Sequence, residues 1–391
     1  MLTFYFRPDL SAGAFRATAL VDHLRELMPP NSQIEVITTV PNRYRSYTMG
    51  APHLEEMPGA SIDRIAIPRH KGGMIDQSRA FGVFSREAIR RVGAKKYDIV
   101  FATSSRLMTA VLAAYIARRS GAKLYLDIRD IFVDTMKDVS SGLSWLMSPI
   151  APRLEKWAIG RAAKVNLVSP GFADYFSTRY PNQRFSFITN GIDEEFVTGS
   201  ISGGPKITRK ASDPRVIVYA GNLGEGQGLH EIIPRLAKRL GSQVHFKIIG
   251  DGGRKAMLHA ELSKHGVKNA ELLPPMGRKE LIEAYKAADA LFLHLNDYPA
   301  FKRVLPSKVF EYGAMGKPVW AGVSGFAEQF LKTEITNAVI FSPCDVNGAV
   351  ESFDKLRFQN TSRTDFIRKY ARRSVTRLLA EDILSIASVR D

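Results

Sequence analysis

Residues 216–240 read VIVYAGNLGEGQGLHEIIPRLAKRL. A β-branched apolar run, Val216–Ala220, leads into a loop with glycine at 221, 224, 226 and 228. An amphipathic helical pattern follows near 228–240. Strand, glycine-rich turn and helix in that order is the opening unit of a parallel, helix-covered sheet. Glycine there lets the backbone come close to a ligand, and the following helix N-terminus offers N–H groups and a positive dipole end to phosphate. Ile249-Gly250-Asp251-Gly252-Gly253 closes the next strand in the same manner.

The pattern extends in both directions. Downstream, strands are expected at His245–Ile249, Leu291–Leu295, Val319–Gly322 and Val339–Phe341. Helices are expected near 253–265, 278–288, 306–315 and 325–333, with a basic helix from about 362 to 388. Upstream, strands are expected at Leu2–Phe6, Gln33–Val40, Tyr97–Ala102, Lys123–Asp127, Lys164–Ser169 and Phe185–Ile188, with helices near 13–28, 78–94, 106–119, 152–161 and 170–179. The aperiodic stretch 41–77 is taken as a surface excursion. Residues 199–214, GSISGGPKITRKASDP, read as a linker. The fold expected is therefore α/β with two doubly wound, Rossmann-like domains and an interdomain cleft for ligand. The divisions are 1–198 for the first domain, 199–214 for the linker and 215–361 for the second domain. A helix at 362–391 is expected to return to the first domain.

Composition sets the outer limits. The 391 residues are 45% hydrophobic and 24% charged, in the ordinary globular range, and a single cysteine, Cys344, excludes an internal disulfide. The longest nearly apolar run, 107–117, falls short of the ~20 residues that span a bilayer. No signal-peptide pattern opens the chain, so a cytoplasmic location is expected, with peripheral attachment to the inner membrane face. Lys and Arg number 55 against 39 Asp and Glu, a net charge of +16. Segment 64–96 carries nine basic and two acidic residues, and 363–377 carries six and one. With the apolar positions Leu143, Trp145, Leu146, Met147, Ile150 and Trp157, the first cluster points to an anionic membrane surface.

A second constellation lies at 305–319, LPSKVFEYGAMGKPV. Ser307, Lys308 and Glu311 fall three or four residues apart near the start of the expected helix and share one face. A carboxylate there can accept two ribose hydroxyls while the lysine meets phosphate. Asp130, one residue past the strand end in Asp127-Ile128-Arg129-Asp130, is the candidate for catalysis, together with Lys308. Gly13 is a candidate for close approach of phosphate or of an acceptor, and Arg16 for phosphate.

These two motifs, GNLGxxQGL and PSKxFEYxAxGKPV, resemble those of family 4 glycosyltransferases of bacterial envelope polysaccharide synthesis. The resemblance extends to Phe6–Arg16, Asp127–Asp130 and Asn190-Gly191-Ile192-Asp193 through Phe196. It implies the GT-B fold and a retaining transfer of sugar from a nucleotide diphosphate, with UDP the expected carrier. The acceptor implied is a lipid-linked saccharide of O-antigen, capsule or exopolysaccharide. It carries over Gly13, Arg16, Gly221, Asn222, Gly224, Gln227, Gly250, Arg303, Ser307, Lys308 and Glu311 as donor-binding positions. Two departures stand out. Arg303 replaces the first glutamate of the family's E-x7-E, and Asn222 and Gln227 replace its diphosphate-binding Arg and Lys. Lys308 and Arg303 are then left to neutralise the diphosphate. No D-x-D sequence and no histidine spacing suits a metal, so a metal-independent enzyme with no cofactor is expected. The competing readings are a non-hydrolysing nucleotide-sugar 2-epimerase and a basic nucleic-acid-binding protein. The latter leaves the PSKxFEY motif unused, so no nucleic acid is expected as partner.

Overall fold

The structure is a computed structural model. It describes all residues except Leu10, 43–49, 69–73, Ser105, 132–149, 202–212 and 389–391. The chain forms two compact units, Met1–Asn190 with Arg373 onward, and Gly191–Arg372. Leu143, Trp145, Leu146 and Met147 of the apolar stretch, and most of the expected linker, lie outside the described residues.

The first unit is built on β1 (Ile34–Thr39), β2 (Leu54–Met57), β3 (Ala60–Ile65), β4 (Ile99–Ser104), β5 (Lys123–Ile128), β6 (Ala162–Leu167) and β7 (Phe185–Ser186). The sheet orders are β1-β3-β2 and β4-β5-β6-β7, parallel except for the β2–β3 hairpin. The expected strand Leu2–Phe6 contributes a single bridging residue. Leu2 pairs with both Ile37 and Ala102 and so joins the two sheets. Past Thr3 the ladder stops, and the Thr3 hydroxyl donates locally to the Tyr5 carbonyl at 2.8 Å.

The stretch 41–77 is not a mere excursion, because β2 and β3 form a hairpin there about Pro58-Gly59. Gly59 takes φ 75°, a left-handed value that glycine adopts without strain. Polar residues hide the strand signal. Arg64 is buried, donating to the Pro52 and Arg7 carbonyls and to Glu55 at 2.7 Å.

The helix Ala12–Leu27 starts at Ser11, whose side chain caps Ala14 N–H. It buries Ala17, Leu20, Val21 and Leu24 at helical spacing against Val36, Ile62, Phe101 and Tyr125. The same core takes Leu379, Ala380, Ile383 and Ile386 from the helix Arg372–Ser388. Each leucine or isoleucine among them is worth about 1.5–3 kcal/mol when fully buried. Asp382 on that helix accepts from Tyr125 at 2.5 Å and Ser186 at 2.6 Å, and pairs with Lys164.

The second unit has one parallel sheet of β8 (Arg215–Asn222), β9 (Val244–Asp251), β10 (Ala270–Leu273), β11 (Ala290–His294), β12 (Val319–Gly322) and β13 (Ala338–Phe341). Its order is β10-β9-β8-β11-β12-β13. Succession runs one way from β8 and the other way from β11. The loops after these two strands therefore diverge, leaving the crevice in which doubly wound sheets take ligand. β10, absent from the expected elements, is a four-residue edge strand with every residue half-buried. It offers no apolar contrast to read.

The unit boundary differs from the expected position at 198. Ile192 N–H donates to Tyr370 O and Arg372 N–H to Ile192 O, both at 2.7 Å. Asp193 pairs with Arg278 and Arg372, and Phe196 is fully buried near Tyr285. The NGID segment is thus bonded into the second unit.

Candidate functional site

At the ends of β8 and β9, Gly221 lies opposite Gly250 and Asn222 opposite Asp251. Gly221 has φ 145°, and a Cβ there would overlap the Lys308 ammonium, so only glycine admits both. Lys308 begins the helix Lys308–Ala314, with Nζ 5.6 Å from the centre of the Tyr219 ring. The glycine loop and the PSKxFEY segment, some 80 residues apart in sequence, are thereby in contact. That helix is two turns long and starts at Lys308 rather than Pro306. Ser307 occupies the cap position without a side-chain cap bond.

Glu311 follows one turn after Lys308 and is half-buried. Burial pushes its carboxyl above the usual carboxylate range, against the opposing pull of Lys308, Arg278 and Arg372. Tyr285 Oη reaches Glu311 Oε2 at 3.5 Å, and Tyr312 Oη accepts Ala220 N–H at 3.3 Å. The buried tyrosines hold the helix on the sheet. Its far end is tied by Arg363, which donates to the carbonyls of Tyr312, Gly313, Lys317 and Thr336.

Asn222 and Gln227, expected among the donor-binding positions, bond to each other at 2.8 Å. Gln227 Oε1 also accepts Gly224 N–H at 3.2 Å. That oxygen is used in shaping the loop. Arg303 ends the turn Pro299–Arg303, whose Phe301 ring packs on Gly226. Second-unit residues that the sequence reading did not single out are Arg278, Tyr285, His294, Asn296 and Arg372. His294 carried a usable signal, because it sits at the carboxyl end of the apolar run ALFLH.

In the first unit, a cavity of about 180 Å³ opens beside the start of helix Ala12–Leu27. Tyr5, Ser11, Gly13, Thr103, Arg106 and Arg129 line it. Gly13 leaves room for Arg129, since a Cβ there would fall 2.6 Å from Nη1. Arg106 packs 4.3 Å over Phe4. Asp130 Oδ1 accepts the N–H of the next residue, Ile131, at 2.9 Å.

Arg16 is not at a phosphate position. It is 1% exposed, holds Asp127 through two bonds of 2.9 and 3.0 Å, and donates to the Ile188 and Thr189 carbonyls. Burial alone would raise the Asp127 carboxyl, but Arg16 with Asn166 outweighs it and holds the group below the usual range. Thr103 and Asn166 complete the set of donors to Asp127. Four of the five N–H groups of this buried guanidinium are thus committed within the unit.

Two family models match the chain. "Glycosyl transferase 4-like domain" covers residues 15–191 and "Glycosyl transferases group 1" covers 204–373. The chain belongs to the family-4-like glycosyltransferases of GT-B fold.

One relative of this glycosyltransferase is the putative colanic acid biosynthesis glycosyl transferase WcaI of Escherichia coli. It is 24% identical over 298 residues, spanning 72% of this chain and 71% of the relative. Among solved structures, Anabaena HepE in complex with UDP and glucose matches at TM-score 0.63 and 15% identity, with 99% of each chain covered. A UDP-forming trehalose-phosphate synthase from Burkholderia xenovorans, in complex with glucose-6-phosphate, matches at TM-score 0.66 and 13% identity, again with 99% of each covered. At these identities the structures speak for the fold. No described helix of the glycosyltransferase is long and apolar enough to cross a membrane.

Proposed function

We propose that this glycosyltransferase moves a sugar from a UDP-sugar to a lipid-linked saccharide during surface polysaccharide assembly, with retention of anomeric configuration. The observation that carries the donor half is the contact of Lys308 with Gly221, one helical turn from Glu311. Ribose hydroxyls would donate to the Glu311 carboxylate, and Lys308 would neutralise diphosphate lying along Gly221–Gly228. Arg303 and Ser307 stand on the segments nearest that loop.

In the transfer, the acceptor oxygen bonds to the anomeric carbon as the carbon–oxygen bond to the diphosphate breaks. The acceptor proton passes to the departing phosphate oxygen. Negative charge grows on the diphosphate as the bond breaks, so Lys308 acts most strongly in the transition state. The acceptor is assigned to the Gly13–Arg129 side of the first unit, and Asp130 to orienting its hydroxyl. The chain contains no D-x-D, and the reading uses no metal, so transfer is expected to continue in EDTA.

Docking on anionic lipid is assigned to the helix Met74–Val92. Its exposed Arg79, Arg86 and Arg90 fall on one stripe, at spacings of seven and four residues. Arg91 is drawn aside to Asp63 at 2.6 Å. Thermal-shift measurements with UDP, GDP and ADP, followed by transfer assays with the sugars of whichever binds, test the donor assignment. Stabilisation by none of the three would reject it.

A further inference from the structure

β11 ends in His294, a 1% exposed side chain outside the motifs that define the donor site. Its Nε2 receives Cys344 N–H at 3.0 Å, and its Nδ1 lies 2.7 Å from Gln227 O. A backbone amide only donates and a carbonyl only accepts. The ring is therefore neutral, with its proton on Nδ1. Gly322 at the end of β12 makes the space, because a Cβ there would overlap the ring.

The neighbouring residues act on the same loop. Asn296 donates its backbone N–H to Gly226 O and its Nδ2 to Glu225 O, each at 2.9 Å. Tyr298 Oη donates to Glu225 Oε1 at 2.6 Å. Three successive carbonyls, Glu225, Gly226 and Gln227, thus each meet a donor from the exit of β11. A peptide unit is planar and trans, so holding its carbonyl on one side fixes the next amide on the other. The orientation of the glycine-loop backbone is set from beneath by these three bonds. His294 Nε2 extends the tie to the Cys344 amide in the loop after β13, where Asn296 Oδ1 also accepts from Cys344 Sγ at 3.3 Å.

We propose that His294 is a positioning residue for the donor-binding loop, tying the Gln227 carbonyl to the Cys344 amide so that the loop is shaped before the diphosphate arrives. The proposal rests on the donor assignment above. A preshaped loop spends no binding energy on ordering itself. The role accordingly belongs to donor affinity more than to the bond-breaking step.

The test is calorimetric titration of wild-type protein, His294→Leu and His294→Gln with UDP, GDP and ADP, joined to donor KM, kcat and thermal midpoint. Leucine fills the space without either hydrogen bond, whereas a glutamine amide offers one donor and one acceptor. Nucleotide affinity should fall about tenfold in His294→Leu and recover to within about threefold of wild type in His294→Gln. Donor KM should rise by a similar factor while kcat changes less. Unchanged affinity in His294→Leu, with only a lowered thermal midpoint, would overturn the proposal and return His294 to a packing role. Failure of the wild type to bind any of the three nucleotides would overturn the donor assignment and this inference together. If His294→Leu does not fold, the pair His294→Asn and His294→Gln makes the same comparison through reach alone. Equal affinity in that pair would overturn the proposal.

Discussion

Arginines from two basic stretches that look alike in the sequence have opposite fates in the structure. On the helix Met74–Val92, Arg79, Arg86 and Arg90 face solvent, and Arg90 pairs with Glu87 on the surface. In 363–377, Arg363 and Arg372 are buried at 6% and 9% exposure and bond to carbonyls and to Asp193. Both segments are rich in cations, nine against two acids in 64–96 and six against one in 363–377. What separates them is the local supply of acceptors. The C-terminal carbonyls of helix Lys308–Ala314 have no intrahelical partner, and a guanidinium with five N–H groups can satisfy several of them at once. Net charge therefore overstates the cationic surface of this protein, because part of it is structural.

The sharpest way to break that contrast is Arg363→Met. Four carbonyls would lose a charged donor inside the second unit, and stability to urea should fall by ~4 kcal/mol. Arg363→Lys should recover only part, since one ammonium cannot reach all four. Burial lowers the Arg363 pKa only to about 10, so the group stays charged at neutral pH. A loss below ~1 kcal/mol for Arg363→Met would place Arg363 with the surface arginines.

The buried ring of His294 should show next in acid. Burial, reinforced by nearby His230, lowers its pKa from 6.5 to about 4. As pH falls through 6.5 the unfolded chain takes up a proton that the folded chain refuses. The stabilisation is complete above 6.5, is lost progressively toward 4, and levels off below that. The full shift corresponds to ~3 kcal/mol. Between pH 6.5 and 5.5 the carboxyls held low, such as Glu225 and Asp382, stay ionised in both folded and unfolded chains. Denaturation curves of His294→Gln over that window should be flatter than wild type, and an equal slope would rule out this source.

Removing the Glu311 carboxylate, as Glu311→Ala, should weaken nucleoside diphosphate binding by about 2–3 kcal/mol, two hydrogen bonds to a charged acceptor being lost. Calorimetry returning wild-type affinity would reject the ribose assignment. Smallest in stability is the exposed stripe. Arg79, Arg86 and Arg90 replaced together by Gln should shift unfolding by no more than ~0.5 kcal/mol. The same triple variant should lose the salt-sensitive part of its flotation with phosphatidylglycerol vesicles, each cation near such a surface being worth ~1 kcal/mol. Unaltered flotation would remove this helix from the docking face.

Most of the long elements were legible in the chain because each carries its own period. Helix Ala12–Leu27 shows a cap and an apolar stripe, and β8 and β11 show unbroken apolar runs. The residue types of the proposed donor constellation were legible as well, since the glycine at 221 and the charged side chains of Lys308 and Glu311 are read without coordinates. β3 and β10 were not legible. Their burial is partial or depends on an ion pair such as Arg64 with Glu55, which no local pattern reveals.

The sequence by itself determined the fold class and the residue types at the donor motif, because periodicity and glycine placement are local properties. Tertiary structure decided which charges are used up. Arg16 is taken by Asp127, 111 positions away in sequence, and Arg363 by carbonyls as much as 51 positions away. It also decided that Gln227 and Asn222 bond to each other, and that His294 bridges loops 67 and 50 residues from it. Partnership of a polar group depends on distance and direction in space. Those are settled only once the strands have paired and the loops at their carboxyl ends have been brought together.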